Sequence, residues 1–411
     1  MKFLFFLSLF LIFYVYLGYS MLIAMIGVVR NKKVKKGPYE PSTAIFIAAY
    51  NEQDVIEATL RNKLELDYPK DKLEIIVISD GSTDKTEEIV KGYEGEQVRL
   101  IRQEPRAGKT SALNMAVPQA KGEIIVFSDA NSLWDKGALR NLASNFNDPS
   151  VGYVTGKMVY TNPDGSMVGD GCTAYMKYEN LLRLAETKVG SVVGVDGGID
   201  AVRKSLYQPM NPDQLPDFVL PLKVVDQGYR VVYEPEAILK EASLKDSKDE
   251  YRMRVRVSLR ALWAMWDMRH LLGLPRSRVP TLATCDVPTF LRSDLSGNTP
   301  SHVPAFSRSA LYAWQLWSHK VLRYMCFALL ILAYFSNLAL WGEGGFYKVL
   351  FVLQSASYLS ALAFPVSKKW GRPWRVLYLP NYFVLLNLAA AHAFIKFIMG
   401  KKQVMWTPRK G

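Results

Sequence analysis

Three short apolar runs in this chain end in clusters of acid, amide and hydroxyl side chains, and those ends hold most of the residues able to do chemistry. The sharpest is Glu123-Ile124-Ile125-Val126-Phe127-Ser128-Asp129-Ala130-Asn131-Ser132. Consecutive large apolar residues read as a buried parallel strand whose polar cluster lies at the carboxyl end, where open α/β sheets bind ligands. Asp129 and Asn131 offer a carboxylate and an amide oxygen, a pair that can hold a hard divalent cation against a diphosphate. A first run ends in Ala48-Ala49-Tyr50-Asn51-Glu52, whose small residues let a planar base or ribose approach the backbone. A second ends in Ser79-Asp80-Gly81-Ser82, where Asp80 can accept hydrogen bonds from a base edge or ribose. Each alone is ordinary turn chemistry. Together they place acids and amides along one rim of one sheet.

Two further segments carry charge to that rim. Pro105-Arg106-Ala107-Gly108-Lys109-Thr110 ends like a phosphate loop, but that motif requires an earlier glycine where Gln103 stands, so the NTPase reading fails. A helix starting at Lys109 still supplies an anion-friendly amino terminus, with Lys109 and Arg106 facing a diphosphate. Asp217, in Leu215-Pro216-Asp217-Phe218, has two readings: a helix N-cap, or a base that takes a proton from an acceptor hydroxyl. Upstream, Asp196-Gly197-Gly198 points to a close backbone approach where an acceptor lies.

The elements that must position these groups form an α/β domain with a mainly parallel sheet between Pro41 and Ala242. Strands are expected at Ala44–Ala49, Leu73–Ser79, Val98–Arg102, Glu123–Ser128, Val151–Tyr160 and Arg230–Tyr233. Helices are expected at Asp54–Leu64, Thr83–Gly92, Lys109–Gln119, Gly137–Phe146, Asp170–Val189 and Asp217–Gln227. From Lys248 to Leu272 the pattern is a basic amphipathic helix with Arg252, Arg254, Arg256, Arg260 and Arg269.

The ends of the 411-residue chain are apolar. Phe3 to Val29 is long enough to cross a bilayer and too long for a signal-peptide core. Arg30, Lys32, Lys33, Lys35 and Lys36 follow and place the next domain in the cytoplasm. Three more spans are expected at Val321–Trp341, Tyr347–Val366 and Val376–Met399, the linker between the last two being basic and cytoplasmic. Asn381, Asn387 and His392 make the last the weakest lipid-facing candidate. A Pro/Ser/Thr-rich loop, Leu274–Pro304, and an interfacial helix, Ala305–Arg323, precede them. The resulting organisation is 1–30, a membrane helix; 41–245, the α/β domain; 246–320, interfacial elements; 321–399, membrane segments; and 400–411, a basic tail. A net charge of +13 fits a membrane-apposed protein that handles anionic ligands. Cys172, Cys285 and Cys326 are too few and too scattered for a disulfide framework or zinc site. No basic helix stands apart from the membrane flanks, which argues against nucleic-acid binding.

The ordered set Ala49-Tyr50-Asn51-Glu52, Ser79-Asp80-Gly81-Ser82, Gly108-Lys109, Asp129-Ala130-Asn131, Gly197-Gly198 and Asp217 resembles a membrane-bound family 2 glycosyltransferase. Such enzymes are relatives of hyaluronan, chitin and cellulose synthases with a GT-A nucleotide-sugar domain, and the resemblance covers Thr43 to Leu272. It implies that Ala49, Tyr50, Asn51, Glu52, Asp80, Gly81, Lys109, Asp129 and Arg256 bind a UDP-sugar. Asn51, Glu52 and Asp80 would hold the uridine, and Arg256 would support the diphosphate. It further implies that Asp129 and Asn131 position Mg2+ or Mn2+, that Gly197 and Gly198 lie beside the acceptor, and that Asp217 is the base of an inverting displacement.

Three departures bear on the acceptor. Asn131 replaces an Asp, Leu-Pro-Asp replaces Thr-Glu-Asp, and Met253-Arg254-Val255-Arg256-Val257 lacks the Gln and Trp of the polymerase signature Gln-x-x-Arg-Trp. They point to transfer of one or few sugars to a short glycan or lipid-linked acceptor in surface glycan synthesis. A glycolipid-forming enzyme and a non-catalytic assembly subunit are the alternatives. Three C-terminal segments are few for a channel, so a second copy or an export partner is expected beside the membrane lipids.

Overall fold

The structure is a computed structural model that describes residues 1–95, 97–161, 167–242, 247–274, 310–369 and 375–405. Most of the expected Pro/Ser/Thr-rich loop, together with Cys285, Arg409 and Lys410, lies outside the described residues.

One eight-stranded sheet forms the centre: β1 (Thr43–Ala49), β2 (Leu73–Ser79), β3 (Val98–Arg102), β4 (Ile124–Asp129), β5 (Leu133–Trp134), β6 (Val151–Thr161), β7 (Asp200–Arg203) and β8 (Arg230–Ala242). Their order is β3-β2-β1-β4-β7-β6-β8-β5. The chain runs outward from β1 to β3, then crosses back to lay β4 on the other side of β1. β1 to β4 are mutually parallel, whereas β7 is antiparallel to both β4 and β6. That reversal opens a crevice at the carboxyl ends of β1 and β4, where Ala48 pairs with Asp129.

All seven residues of β1 are buried because both sheet faces are covered. Ala44 and Phe46 point into one core with the helices Lys109–Ala116 and Pro216–Asp226, while Ile45 and Ile47 point into another with Ile56–Leu64 and Ala138–Ser144. Each such Ile contributes about 1.5–3 kcal/mol by leaving water. The rim residues are thus carried on strands that cannot shift without exposing two cores.

Among the described residues, three helices are long and apolar enough to cross a membrane: Lys2–Arg30, Gly345–Ala363 and Pro380–Ile398. The expected span Val321–Trp341 is not one continuous helix. The chain bends by 61° between Ala310–Tyr324 and Cys326–Ala339, which makes a fourth candidate only if the bent pair counts as one span. Met325, where the helix breaks, is the only residue between the two. The helix Arg375–Ile398 does not stand alone in lipid; it runs parallel to Ser247–Asp267. Arg254 donates to the Tyr382 hydroxyl, Tyr251 meets His392, and Trp263 packs edge-on to Phe397 at 4.7 Å. The polar residues that weakened it as a lipid-facing segment are partly explained by these contacts.

Candidate functional site

β4 delivers Asp129 to the crevice, and the loop after it is fixed from the helix Ile56–Leu64. Thr59 donates to the Ala130 carbonyl at 2.6 Å, and the buried Lys63 side-chain nitrogen donates to the Ser132 carbonyl at 2.6 Å while lying 4.2 Å over the Trp134 ring. The Trp134 indole in turn donates to the Gly198 carbonyl at 3.1 Å, tying the Asp129–Ser132 turn to the Gly197-Gly198 loop. Sequence reading missed Thr59 and Lys63, since nothing in a helix pattern says which distant loop it will hold.

Asp80 is fully buried at the end of β2. Its carboxylate accepts hydrogen bonds from the backbone N–H groups of Ala107 and Gly108 and from the Gln103 amide. Arg106, expected to face a diphosphate, instead lies 3.4 Å over the Tyr50 ring with its guanidinium 3.5 Å from Asp80. A buried carboxylate attracts whatever donors and cations reach it, and here it anchors the turn that starts the next helix. Asn51 adopts a left-handed backbone (φ 53°) and exchanges side-chain and backbone hydrogen bonds with Thr83, so the ends of β1 and β2 form one unit. Gly81 packs against Arg106 in the same cluster.

The helix turn sends Lys109 across the crevice. Its ammonium donates to Asp129 at 2.6 Å and stands 3.9 Å from Asp217. Burial lowers its affinity for a proton, but Asp129 and Asp217 outweigh burial and raise it, so Lys109 is a fixed cation. Pro216 begins the helix Pro216–Asp226, and Asp217 falls in its first turn. The carboxylate lies on Gly197, whose backbone is left-handed (φ 88°) and where a Cβ would collide with the Asp217 carboxyl carbon. Gly197→Ala is therefore expected to displace Asp217 and strain the backbone by about 1–3 kcal/mol. A drop in melting temperature with loss of transfer checks this; wild-type behaviour in both would contradict it.

Glu52, Lys109, Asp129, Asn131, Asp217 and Arg256 line one cavity of about 120 Å³ together with Asp196, Leu215 and Arg260. The structure therefore brings together six residues read from distant parts of the sequence. Ala49, Tyr50, Asn51, Asp80 and Gly81 lie at the neighbouring β1 and β2 ends, and Gly198 approaches Ser132 and Asp129. Arg260, grouped with the basic helix by sequence, is buried and donates to Thr110 at 2.7 Å and to the Gln214 carbonyl, and burial lowers it to about 10. Asp200, missed by sequence reading, is buried on β7; burial first and Asp217 second push its carboxyl up to about 8.

Burial first, and then Asp129, Asp84, Glu241 and Asp54, push the Glu52 carboxyl up to about 7. The native state therefore keeps a proton that the unfolded chain releases above its value near 4.5, and stability falls as pH rises from that value towards 7. Glu52→Gln is expected to melt above the wild type at pH 8, with the gap closing by pH ~4.5. Thermal scans across that range check it; a gap independent of pH would contradict the assignment.

The oxygen donors fit a hard divalent cation, but only in company. Among the described residues no group of three or more His, Cys, Asp or Glu side chains could hold a metal. Asp129 and Asn131 supply two oxygens, so the remainder must come from a diphosphate and water. Asn131 also lies with its amide nitrogen 3.5 Å from Glu241, on β8.

One contribution comes from the C-terminal tail. The Trp263 indole donates to the Lys401 carbonyl at 3.0 Å, Lys402 pairs with Asp213 at 2.8 Å, and the Val404 carbonyl lies against Gly108. The sequence showed only its charge.

Residues 44–195 match the family model Glycosyl transferase family 2. The matched segment lies in the α/β domain, which is similar to that family of inverting glycosyltransferases and has the GT-A fold. A poly-beta-1,6-N-acetyl-D-glucosamine synthase of Staphylococcus aureus (strain MSSA476) is 32% identical over 198 residues, 47% of this chain and 48% of the relative. A Bacillus subtilis (strain 168) protein named a probable glycosyltransferase is 30% identical over 231 residues, 53% of this chain and 54% of its own. The chain thus matches about half the length of these curated relatives. A mannosyltransferase from Pyrobaculum calidifontis, solved in complex with GDP-Man and Mn2+, superposes with a TM-score of 0.67 at 22% identity, over 97% of this chain and 99% of that one. At that identity the likeness concerns the fold.

Proposed function

We propose that the protein is a membrane-bound glycosyltransferase that moves a sugar from a UDP-sugar to a glycan or lipid-linked acceptor, with inversion, in cell-surface polysaccharide synthesis. The observation that carries this reading is Lys109, whose ammonium lies within 4 Å of both Asp129 and Asp217. It joins a diphosphate-side carboxylate to an acceptor-side carboxylate in one cleft. The S. aureus relative, by its name, makes a polysaccharide, which supports the same direction.

In this mechanism the uridine lies over the β1 and β2 ends, flanked by Ala49, Tyr50, Asn51, Glu52, Asp80 and Gly81. Lys109 and Arg256 face the diphosphate. Asp129 and Asn131 would hold Mg2+ or Mn2+, which when bound would offset the charge of the departing UDP. Asp217 accepts the proton of the acceptor hydroxyl as that oxygen attacks the anomeric carbon from the face opposite the diphosphate. Gly197 and Gly198 leave room beside it for the acceptor. The domain faces the cytoplasm, where the donor is made, and lies against the membrane through the helices described above. Loss of the polymerase Gln and Trp around Arg256 favours addition of one or few sugars, with a glycolipid product as the second reading.

The test is to incubate the purified full-length protein in detergent with a panel of UDP-sugars and candidate acceptors and to assay UDP release. Organic extraction of the product separates glycolipid from water-soluble polymer. Release no greater than that of Asp217→Asn would overturn the reading.

A further inference from the structure

The acceptor-side loop from Ser191 to Gly198 carries Gly197 against Asp217, and its far side meets side chains from the apolar helices. The helix Met167–Val189 lines that far side with Glu179, Arg183 and Glu186, spaced to share one face. All three are buried. Glu186 accepts a hydrogen bond from the Val193 backbone N–H at 3.0 Å. Arg183 donates to the Gly194 carbonyl at 3.0 Å and to Asp196 at 2.6 Å. The loop is thereby fastened to acids and a guanidinium that themselves need partners, because buried charges are costly unless paired.

Those partners come from two other apolar segments. The Tyr19 hydroxyl, on Lys2–Arg30, donates to Glu186 at 2.6 Å. His319, fully buried, lies between the two glutamates, with Nδ1 2.7 Å from Glu186 and Nε2 3.2 Å from Glu179. It joins two acidic groups that would otherwise repel. Arg323 pairs with Glu179 on the other side. Gln315 donates to the Ser191 carbonyl at 3.3 Å, and the Lys320 ammonium sits where a Cβ on Gly194 would be.

A second observation marks the place. His319 and Lys320 fall in a π-helical turn, Trp317–Val321, and the N-terminal helix has its own π-turn at Tyr14–Gly18. The two meet where the Tyr14 hydroxyl lies 2.7 Å from Ser318. Single π-turns interrupt a helix at some cost and recur at functional sites.

We propose that His319, with Tyr19 and Glu186, forms a positioning array that sets the acceptor loop from the membrane side, so that Asp217 is aligned with the acceptor only when the two apolar helices are docked. The inference rests on the reading of Asp217 as the base and of Gly197-Gly198 as the acceptor side. It assigns no contact with substrate to His319. Disturbing the array loosens the loop, leaves the nucleotide rim on β1, β2 and β4 in place, and lets water compete with the acceptor.

The experiment uses the full-length protein in lipid nanodiscs with the variants Tyr19→Phe and His319→Gln. Hydrogen exchange at residues 191–198 is expected to rise about 10-fold in each, with residues 73–84 unchanged. Transfer is expected to fall about 10²-fold in His319→Gln, the cost of a small misalignment. Nucleotide affinity stays at the wild-type value, and UDP release by hydrolysis rises relative to transfer. Tyr19→Phe removes one hydroxyl and decides the matter if His319→Gln does not fold. Unchanged exchange at 191–198, or nucleotide affinity falling in step with transfer, would overturn the proposal. The exchange measurement needs no substrate, so a protein that transfers no sugar would sink the functional reading without deciding the array.

Discussion

Asp217→Asn is expected to lower transfer by about 10²–10⁴-fold, the contribution of a positioned general base, while UDP affinity stays within about twofold. The substitution is nearly isosteric, so the packing of the side chain on Gly197 survives. Lys109 keeps its 2.6 Å bond to Asp129, so the cleft does not lose its central ion pair. What disappears is an oxygen able to take a proton. UDP release in a coupled assay, with calorimetry for UDP binding, reads the two effects separately. Transfer within tenfold of wild type would remove Asp217 from the role of base, and a parallel loss of UDP affinity would make it a structural residue.

Asp129→Ala is expected to abolish the gain in UDP affinity that Mg2+ or Mn2+ gives the wild type. Asn131 would be the remaining oxygen of the pair, and a hard cation binds poorly to one amide. The geometry adds a second consequence. Lys109, released from Asp129, has Asp217 3.9 Å away as its next partner. A closer Lys109–Asp217 pair would tie up a carboxylate oxygen and turn it away from the acceptor hydroxyl. Transfer is therefore expected to fall even where the UDP-sugar saturates the site. UDP affinity with and without cation reads the first effect, and transfer at saturating UDP-sugar reads the second. UDP titrations with and without cation that match the wild type would place the cation elsewhere.

How much of this was legible in the sequence depends on how local the signal is. β2 and β3 fall on the residues expected, and β1 and β4 differ by one residue at their ends; in β1, β2 and β4 burial on both faces leaves an almost unbroken apolar run. β7 was missed because Asp200 and Arg203 break up a four-residue strand. β8 was read as ending at Tyr233, yet it continues to Ala242 through Pro235. Between Thr155 and Lys157 its pairing with β6 shifts register, and such a bulge is where a strand tolerates proline. The rim residues were legible because their chemistry is written in adjacent positions. The links that make the rim a site were not: Thr59 to Ala130, Arg183 to Asp196 and Lys109 to Asp217 each join residues whose spacing carries no pattern. The break at Met325 was invisible for a different reason, since hydropathy records composition and is blind to a bend.

The tail that reaches Gly108 also counts membrane crossings. Lys402 touches Asp213, and Trp263 holds Lys401, so the chain at Lys401 lies on the same side as the domain it left at Asp267. A polypeptide that departs from one face of a bilayer and returns to it has crossed an even number of times. The bent pair, Gly345–Ala363 and Pro380–Ile398 cannot all be full traverses, because three crossings would strand the tail on the opposite face. The helix already bound along its length to Ser247–Asp267 is the one to subtract. If the bent pair and Gly345–Ala363 both cross, they form a hairpin that enters and leaves, and the last helix, packed along Ser247–Asp267, brings the tail back to the cleft.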